Sequence, residues 1–544
     1  MSLLLPKSGR VELARAFYSN IVNPTASNNA GTQFGGPGHY FHFSLGKTSP
    51  WPDDEAPPAP VDSETFTKDF RKSIMFTQLI TSSNVCHLAR RIDWISGTVY
   101  DSYDDDYSSA RPSYTEATTL ADADFYVITD ENKVYKCIDN NNNGAVANKP
   151  SNTGTATFST DDGYIWKFLF QVSSADETAF LDVEHIPVRK LTGNPTHDVN
   201  GELDSVTVTA GGSGYTSVPE VLISGDGIGG SATAVLTGNA VTSVTINTAG
   251  SGYTFALITF SGGGGSGAAA TFVLGDADTL PALQSAVENT AVKGTVDKIN
   301  LSNSGQGYTV EDVTVTITGD GSGAAATATI AADTGAITGI TVIERGSGYS
   351  FANITFTQSV GSGTGAIARA ILSPINGHGS NPVKELFAST IGIVVSIEDN
   401  SNNDLILGND FRQIGLIKNL YNYTNSAIWT VNTATASFII HVNDNTKYAV
   451  DDNITTDDGG QFTVIQVVDA GLGIYHIYLQ PIIGLITTTS TLANTTKGLT
   501  GLSINSVINP EISVTSGDIM YIENRSPISR SADQVETIKA LINF

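Results

Sequence analysis

Four near-copies of one glycine-tyrosine sequence constrain this chain most, because each copy has strand-like sequence on both sides of a tight turn. The four turns contain Gly214 and Tyr215, Gly252 and Tyr253, Gly307 and Tyr308, and Gly348 and Tyr349. Apolar residues stand nine and seven positions before each tyrosine, as Val206 and Val208 do in the first copy. This alternation predicts that each copy enters on a β-strand with one buried face.

Each copy continues with a second strand, a second glycine-rich loop and a strand rich in Ala and Thr. The tyrosines are separated by 38, 55 and 41 residues, so the copies group as two pairs. We therefore expect two β modules, at about 203–274 and 296–372, within a repeat region at 201–375. Glycine supplies the positive φ that such reversals need. We expect each tyrosine ring to cover the apolar face of its hairpin.

The rest of the chain also favours strands. Apolar residues at helical spacing predict one short helix over 9–20, and a second helix is possible over 64–80. The stretch "PWPDDEAPPAP" at 50–60 is too rich in proline for a helix interior or a central strand, so we expect an extended surface arm. Short β-branched and aromatic runs elsewhere predict a mainly β fold, with a sandwich-like core and few short helices.

Composition narrows the class of function. The chain of 544 residues has a formal net charge of −26, which opposes nucleic-acid binding and docking on anionic membranes. No apolar run is long enough for a membrane span, and the N-terminus does not resemble a signal peptide. We expect synthesis in the cytosol and a soluble product. Cys86 and Cys137 are predicted to be buried free thiols.

No catalytic, cofactor-binding or metal-binding residues are predicted. The turn "DNNNNG" at 139–144 resembles the start of a calcium loop, but Pro150 occupies the position of the bidentate glutamate, which favours a polar turn. The loop at 100–114, rich in Tyr and Asp, could bind sugar, contact a protein or be solvated. If the run that contains His39 and His42 is a strand, the two side chains would lie on opposite faces of it.

Six short motifs, taken in order, resemble one known family. They are "LGKTSPW" at 45–51, "RRIDW" at 90–94, "VYKC" at 134–137, "DGYIWKFLF" at 162–170, "NDFRQIGLIKN" at 409–419 and the ending "SGDIMYIENRSPISRSADQVETIKALINF" at 516–544. The chain resembles the gene-8 baseplate wedge subunits of T-even-type contractile-tailed phages. The motif residues that carry the resemblance are Trp51, Arg90, Arg91, Asp93, Trp94, Trp166, Phe411, Arg412, Tyr521, Glu523, Asn524, Arg525 and Pro527.

The resemblance implies the domain layout. It covers about 10–200, 376–425 and 515–544, and we expect a wedge core made of 1–200, a re-entry segment at 376–429 and a C-terminal segment at 511–544. The repeat region at 201–375 and a second β stretch at 430–510 would be insertions into that core.

The resemblance also implies a non-enzymatic structural protein of a myovirus virion. It would form a homodimer in each wedge of the tail baseplate and be assembled in the host cytoplasm. It would hold other baseplate wedge proteins and transmit the rearrangement that triggers sheath contraction. The alternatives are a carbohydrate-binding virion module that presents the repeat tyrosines to host surface glycans, and a tail-associated depolymerase or hydrolase.

Overall fold

The fold is mainly β, as the sequence predicts. The computed structural model describes residues 5–22, 39–191, 202–225, 229–248, 256–275, 279–310, 312–398, 410–529 and 535–544. Strands hold 47% of the chain and helices 10%, which confirms the predicted fold class. No helix among these residues is long and apolar enough to cross a membrane.

The elements are as follows, in chain order within each type. The helices are α1 (Lys7–Val22), α2 (Glu64–Ser73), α3 (Ser174–Phe180), α4 (Thr279–Asn289) and α5 (Pro382–Glu385). The first strands are β1 (Phe41–Gly46), β2 (Ile74–Leu79), β3 (Val85–Arg90), β4 (Tyr126–Ile128), β5 (Lys133–Asp139), β6 (Phe158–Ser159), β7 (Ile165–Gln171) and β8 (His185–Val188). The repeat strands are β9 (Glu202–Ser213), β10 (Glu220–Gly225), β11 (Ser231–Thr237), β12 (Ala240–Thr248), β13 (Ala256–Ser261), β14 (Ser266–Gly275), β15 (Val296–Gln306), β16 (Val313–Gly319), β17 (Ser322–Ile330), β18 (Ile337–Ser347), β19 (Ala352–Gln358) and β20 (Thr364–Leu372). The last strands are β21 (Thr390–Glu398), β22 (Asp410–Lys418), β23 (Tyr421–Asn422), β24 (Thr433–Thr435), β25 (Phe438–Val442), β26 (Asn453–Thr456), β27 (Gln461–Asp469), β28 (Tyr475–Ile483), β29 (Leu492–Asn494), β30 (Leu499–Leu502), β31 (Ser506–Ile508), β32 (Ile512–Ser513), β33 (Asp518–Ser529) and β34 (Val535–Asn543).

The helix predicted over 64–80 is only half correct. Helix α2 begins after Ser63, whose side chain accepts from the Phe66 backbone nitrogen, and it ends at Ser73. The apolar run that follows is strand β2, whose first residues are buried on both faces. Strand β2 pairs with β1 and β24, so burial within a sheet overrides the helical spacing. The helix predicted over 9–20 is confirmed as α1.

The chain divides into two compact units. Unit 1 contains Met1–Arg15, Cys86–Ile391 and Ile542–Phe544, and unit 2 contains Ala16–Val85 and Gly392–Leu541.

The main core of unit 1 lies around the sheet β4-β5-β7-β6. Tyr135 pairs with Phe168 and Cys137 with Trp166, and all four side chains are buried in this core. Cys86 and Cys137 are buried and form no disulfide with each other, as predicted.

The repeat strands of unit 1 pair in a nested order. Strand β9 pairs with β14, β10 with β13 and β11 with β12, and the same order recurs as β15 with β20, β16 with β19 and β17 with β18. In all four copies, the residue seven positions before the tyrosine pairs with an alanine. These pairs are Val208 with Ala270, Ile246 with Ala232, Leu301 with Ala368 and Val342 with Ala326. Two copies thus make one module with an internal twofold pattern.

Unit 2 contains two larger sheets. The first has the order β24-β2-β1-β22-β33, and the second has the order β30-β29-β26-β27-β28-β25-β31. Phe438, Phe462 and Leu479 are among the buried residues of the core against the second sheet. His42 lies within β1 and is buried, whereas His39 precedes that strand, so the prediction of opposite strand faces does not apply to the pair.

Candidate functional site

The glycine-tyrosine turns are internal structural features. Tyr215, Tyr308 and Tyr349 are only 3%, 7% and 6% exposed. Gly214, Gly307 and Gly348 have φ values of +80°, +74° and +82°. Residues other than glycine rarely adopt this backbone conformation. Gly252 and Tyr253 lie outside the described residues.

Among the described residues, the second glycine loops of three copies each cover the tyrosine ring of the paired copy. A Cβ added at Gly265 would lie 2.5 Å from Cγ of Tyr215, and one added at Gly363 or Gly321 would overlap the ring of Tyr308 or Tyr349. The rings therefore pack against glycine backbone as well as against the apolar face that the sequence predicts. Because these three rings are enclosed, they cannot stack on a sugar, and the carbohydrate-binding alternative loses three of its four proposed contact residues.

Three of the six motifs meet in unit 2, beside β22 and β33. The indole nitrogen of Trp51 donates to the backbone oxygen of Arg525 at 2.9 Å. Arg412, whose side chain is 8% exposed, forms an ion pair with Asp54 at 3.2 Å. Phe411 precedes it in β22 and is fully buried. The proline-rich arm is thereby attached to two strands that come from distant parts of the sequence.

Side chains of the C-terminal motif on β33 make hydrogen bonds both to each other and to other segments of unit 2. The amide of Asn524 accepts from Gln413 and donates to the backbone oxygen of Pro58, both at 2.8 Å. Glu523 accepts from Arg525 Nε at 2.7 Å and from the hydroxyl of Tyr521 at 2.5 Å. Burial raises the pKa of Tyr521, and the Glu523 carboxylate raises it further. Pro527, in the same strand, is half-buried.

The other three motifs lie in unit 1. Arg90 forms an ion pair with Asp124 at 2.7 Å, and Arg91 forms one with Asp93 at 2.9 Å. Trp94 packs against the main core, and Trp166 is buried in it. The motif residues thus fall into two clusters, one in each unit, and the residues of each cluster are held by core packing or by specific hydrogen bonds.

The acidic loop at 100–114 forms ion pairs and a hydrogen bond with the second repeat module. Arg369 of β20 lies 2.6 Å from Asp105 and 3.4 Å from Asp104, and Asn300 of β15 donates to Asp104 at 3.0 Å. Asp104 is only 4% exposed. These contacts are within the chain, so the loop is not simply solvated, and binding of a sugar or of another protein by this loop stays a prediction.

The turn at 139–144 makes a second attachment to this module. The carboxylate of Asp139 lies 3.2 Å from the ammonium group of Lys298 on β15. Asn141, Asn142 and Asn143 all have positive φ, which fits a tight polar turn. Among the described residues, no three His, Cys, Asp or Glu side chains are placed to hold a metal ion.

A buried group of charges completes this attachment. Lys136 of β5 lies 2.8 Å from Glu385 of α5, and Asp297 of β15 lies 2.6 Å from His378 and 3.4 Å from Arg345 of β18. Burial alone would raise the pKa of Asp297, but His378 and Arg345 outweigh it and hold that pKa below its usual value. Burial lowers the pKa of His378. The four groups Lys136, Glu385, Asp297 and His378 are at most 8% exposed.

This group of charges fits a structural role. A histidine beside an aspartate is also the arrangement of a general base, but His378 is 6% exposed and its ring lies edge-on to Tyr103, with centroids 4.9 Å apart. A substrate would have to enter the protein interior to reach it. Sequence reasoning gave these residues no role, because single Lys, Glu and Asp residues are usually solvated and the sequence does not show which of them meet in the fold.

No known protein-family model matches this chain, and no curated protein matches it either.

Proposed function

We propose that this chain is a structural subunit of a phage tail baseplate wedge. It acts without catalysis, holds neighbouring wedge proteins and transmits the rearrangement that triggers sheath contraction. It is a homodimer in each wedge, assembles in the host cytoplasm and remains in the virion. Nucleic acid and membranes are not among its partners, in keeping with the charge of −26.

One observation carries this proposal. Motif residues that are far apart in the sequence are joined by side-chain hydrogen bonds: Trp51 donates to Arg525, Arg412 donates to Asp54, and Asn524 bonds to both Gln413 and Pro58. The family resemblance thus rests on residues that fix the fold of unit 2, which is what a scaffold subunit requires. The second support is the set of ion pairs that attaches the second repeat module to the acidic loop at 100–114 and to the turn at 139–144. An appendage that transmits force must be firmly attached.

The proposal is tested in the phage whose genome encodes the chain. The gene is deleted, and tails are examined by electron microscopy. We expect tails without complete baseplates. Supplying the wild-type chain or the exposed-site variant Val183→Ser should restore them, because Val183 is 88% exposed.

A density map of the intact baseplate then locates the subunit. We expect two copies of this fold in each wedge, in contact with other wedge proteins. Normal, contraction-competent tails in the deletion strain, or a map in which no wedge density fits either unit, would show the proposal to be wrong.

A further inference from the structure

Unit 2 contains a largely apolar groove that the sequence motifs do not include. It has a volume of about 340 Å³ and is lined by the last part of α2, the end of β28, and β32 with the residues on either side of it. Phe438, Pro481 and Ile512 contribute apolar walls. A groove of this size accommodates a few side chains of a bound segment.

The wall at the end of β28 exposes large apolar side chains. Ile483 is 61% exposed and Leu485 is 56% exposed. The pairing between β25 and β28 ends at Phe438 and Leu479, so the final residues of β28 pair with β27 on one side only. Gln480 donates to the backbone oxygen of Lys72 at 2.7 Å, which fixes this strand end against α2. An exposed apolar strand end with one unpaired edge suits an extended peptide.

The rim of the groove is basic in a strongly acidic chain. Lys68, Arg71 and Lys72 all line it, within five residues of one helix. The guanidinium group of Arg71 donates to backbone oxygens, among them that of Gly517 at 2.7 Å, so its charge is held in place. Lys68 and Lys72 are exposed, and Lys72 lies 3.6 Å from Asp69. Three cations beside an apolar surface complement a ligand that is both apolar and anionic.

We infer that this groove binds an extended segment of a partner protein that carries apolar side chains flanked by Asp or Glu. The apolar side chains contact Phe438, Pro481 and Leu485, and the carboxylates lie beside Lys68 and Lys72. This inference does not depend on the proposed baseplate function. If one of the two is shown to be wrong, the other is unaffected.

Three fluorescein-labelled hexapeptides test the inference against the full chain by fluorescence polarisation. All three contain Leu and Phe, and the positions beside them are Asp in the first, Asn in the second and Lys in the third. We expect the Asp peptide to bind at least tenfold more tightly than the Asn peptide, and the Lys peptide more weakly still. Raising the salt concentration should weaken the Asp peptide most.

Variants of the full chain locate the binding. Lys68→Glu should raise the Kd of the Asp peptide at least fivefold, and Leu485→Asp should do the same. Lys447→Glu is the matched control, since Lys447 is also an exposed lysine of unit 2 but does not line the groove, and it should leave the Kd unchanged. Circular dichroism confirms that each variant is folded.

Three outcomes would overturn the inference. The first is that no peptide binds, and the second is equal binding of the Asp and Asn peptides. The third is binding of sodium oleate that Leu485→Asp abolishes while none of the peptides competes with it, which would make the groove a site for a small amphiphile.

Discussion

Lys136 and Glu385 form a fully buried ion pair, with Nζ 2.8 Å from Oε2 and side-chain exposures of 0% and 4%. The ammonium group also lies 4.3 Å from the centre of the Tyr103 ring. Burial alone would raise the pKa of Glu385, but the ammonium group of Lys136 outweighs it, and the pKa lies below its usual value. The backbone nitrogen of Gly379 also donates to this carboxylate at 3.0 Å. The pair joins the sheet around β5 to the segment that follows the repeat region.

The first prediction concerns this pair. Glu385→Gln leaves the Lys136 charge buried without a counter-ion, so we expect the free energy of unfolding to fall by about 3–5 kcal/mol. Denaturant titration measures this change. Lys7→Met removes an exposed pair with Asp122 and should change the free energy by less than about 1 kcal/mol. A loss below about 1 kcal/mol for Glu385→Gln would mean that the pair does not hold this region.

The second prediction concerns the glycines of the repeat turns. Gly305 has a φ of +59°, and a Cβ there would lie 2.6 Å from the backbone nitrogen of Ala366. Gly305→Ala should therefore destabilise unit 1 by about 1–3 kcal/mol or more, as measured by thermal or denaturant unfolding. Gly339 is the matched control in the same module, because a Cβ there meets nothing within 4 Å. Gly339→Ala should be neutral or slightly stabilising, and equal effects of the two changes would contradict the turn geometry.

The third prediction separates two tryptophans of unit 2. The Trp51 indole donates a hydrogen bond to Arg525, whereas the buried indole nitrogen of Trp429 has no partner among the described residues. Trp51→Phe should cost about 1 kcal/mol more than Trp429→Phe in denaturant unfolding. The reverse order would show that the Trp51 contact does not stabilise unit 2.

The fourth prediction concerns acid stability. Burial lowers the pKa of His42 in β1 to about 4 from its ordinary value of 6.5. Between pH 6.5 and 4, His42 is protonated in the unfolded chain but not in the folded chain, so the free energy of unfolding falls as the pH drops through this range. His42→Leu should remove about 3 kcal/mol of this fall, as measured by denaturant titration at pH 7 and pH 4. An unchanged pH dependence in His42→Leu would mean that His42 is not the group responsible.

The sequence predicts local structure well where alternation is strict. Val206 and Val208 indicate a strand with one buried face, and the glycines beside Tyr215 indicate a reversal, because both signals lie within a few residues. The proline-rich arm at 50–60 contains neither helix nor strand, as its composition predicts, but it bends over 52–56, where the Ala56 backbone nitrogen donates to the Asp53 oxygen, so it is not extended throughout. The mixed segment at 64–80 shows the limit, since the apolar residues after Ser73 fit either a helix or a buried strand until sheet partners are known.

Long-range partners could not be predicted. The alternation in β9 gives no register, so the pairing of Val208 with Ala270 has no signal in either strand. Lys136 sits in a run that also fits a half-exposed strand, and only the fold brings Glu385 to it. The basic groove was missed for the same reason, because Lys68 and Leu485 become neighbours only through the packing of α2 on β28.

The nested strand order sets a sequence of events for a chain leaving the ribosome. In the second module, the β17–β18 hairpin closes a short loop between Ile330 and Ile337, so it can form first at little entropic cost. Strand β15 cannot pair until β20, the last strand of this module, has been synthesised, because Val296 pairs with Leu372. Assembly therefore runs outward from the innermost turn, and the module becomes fit to attach to the acidic loop only after its final strand has emerged.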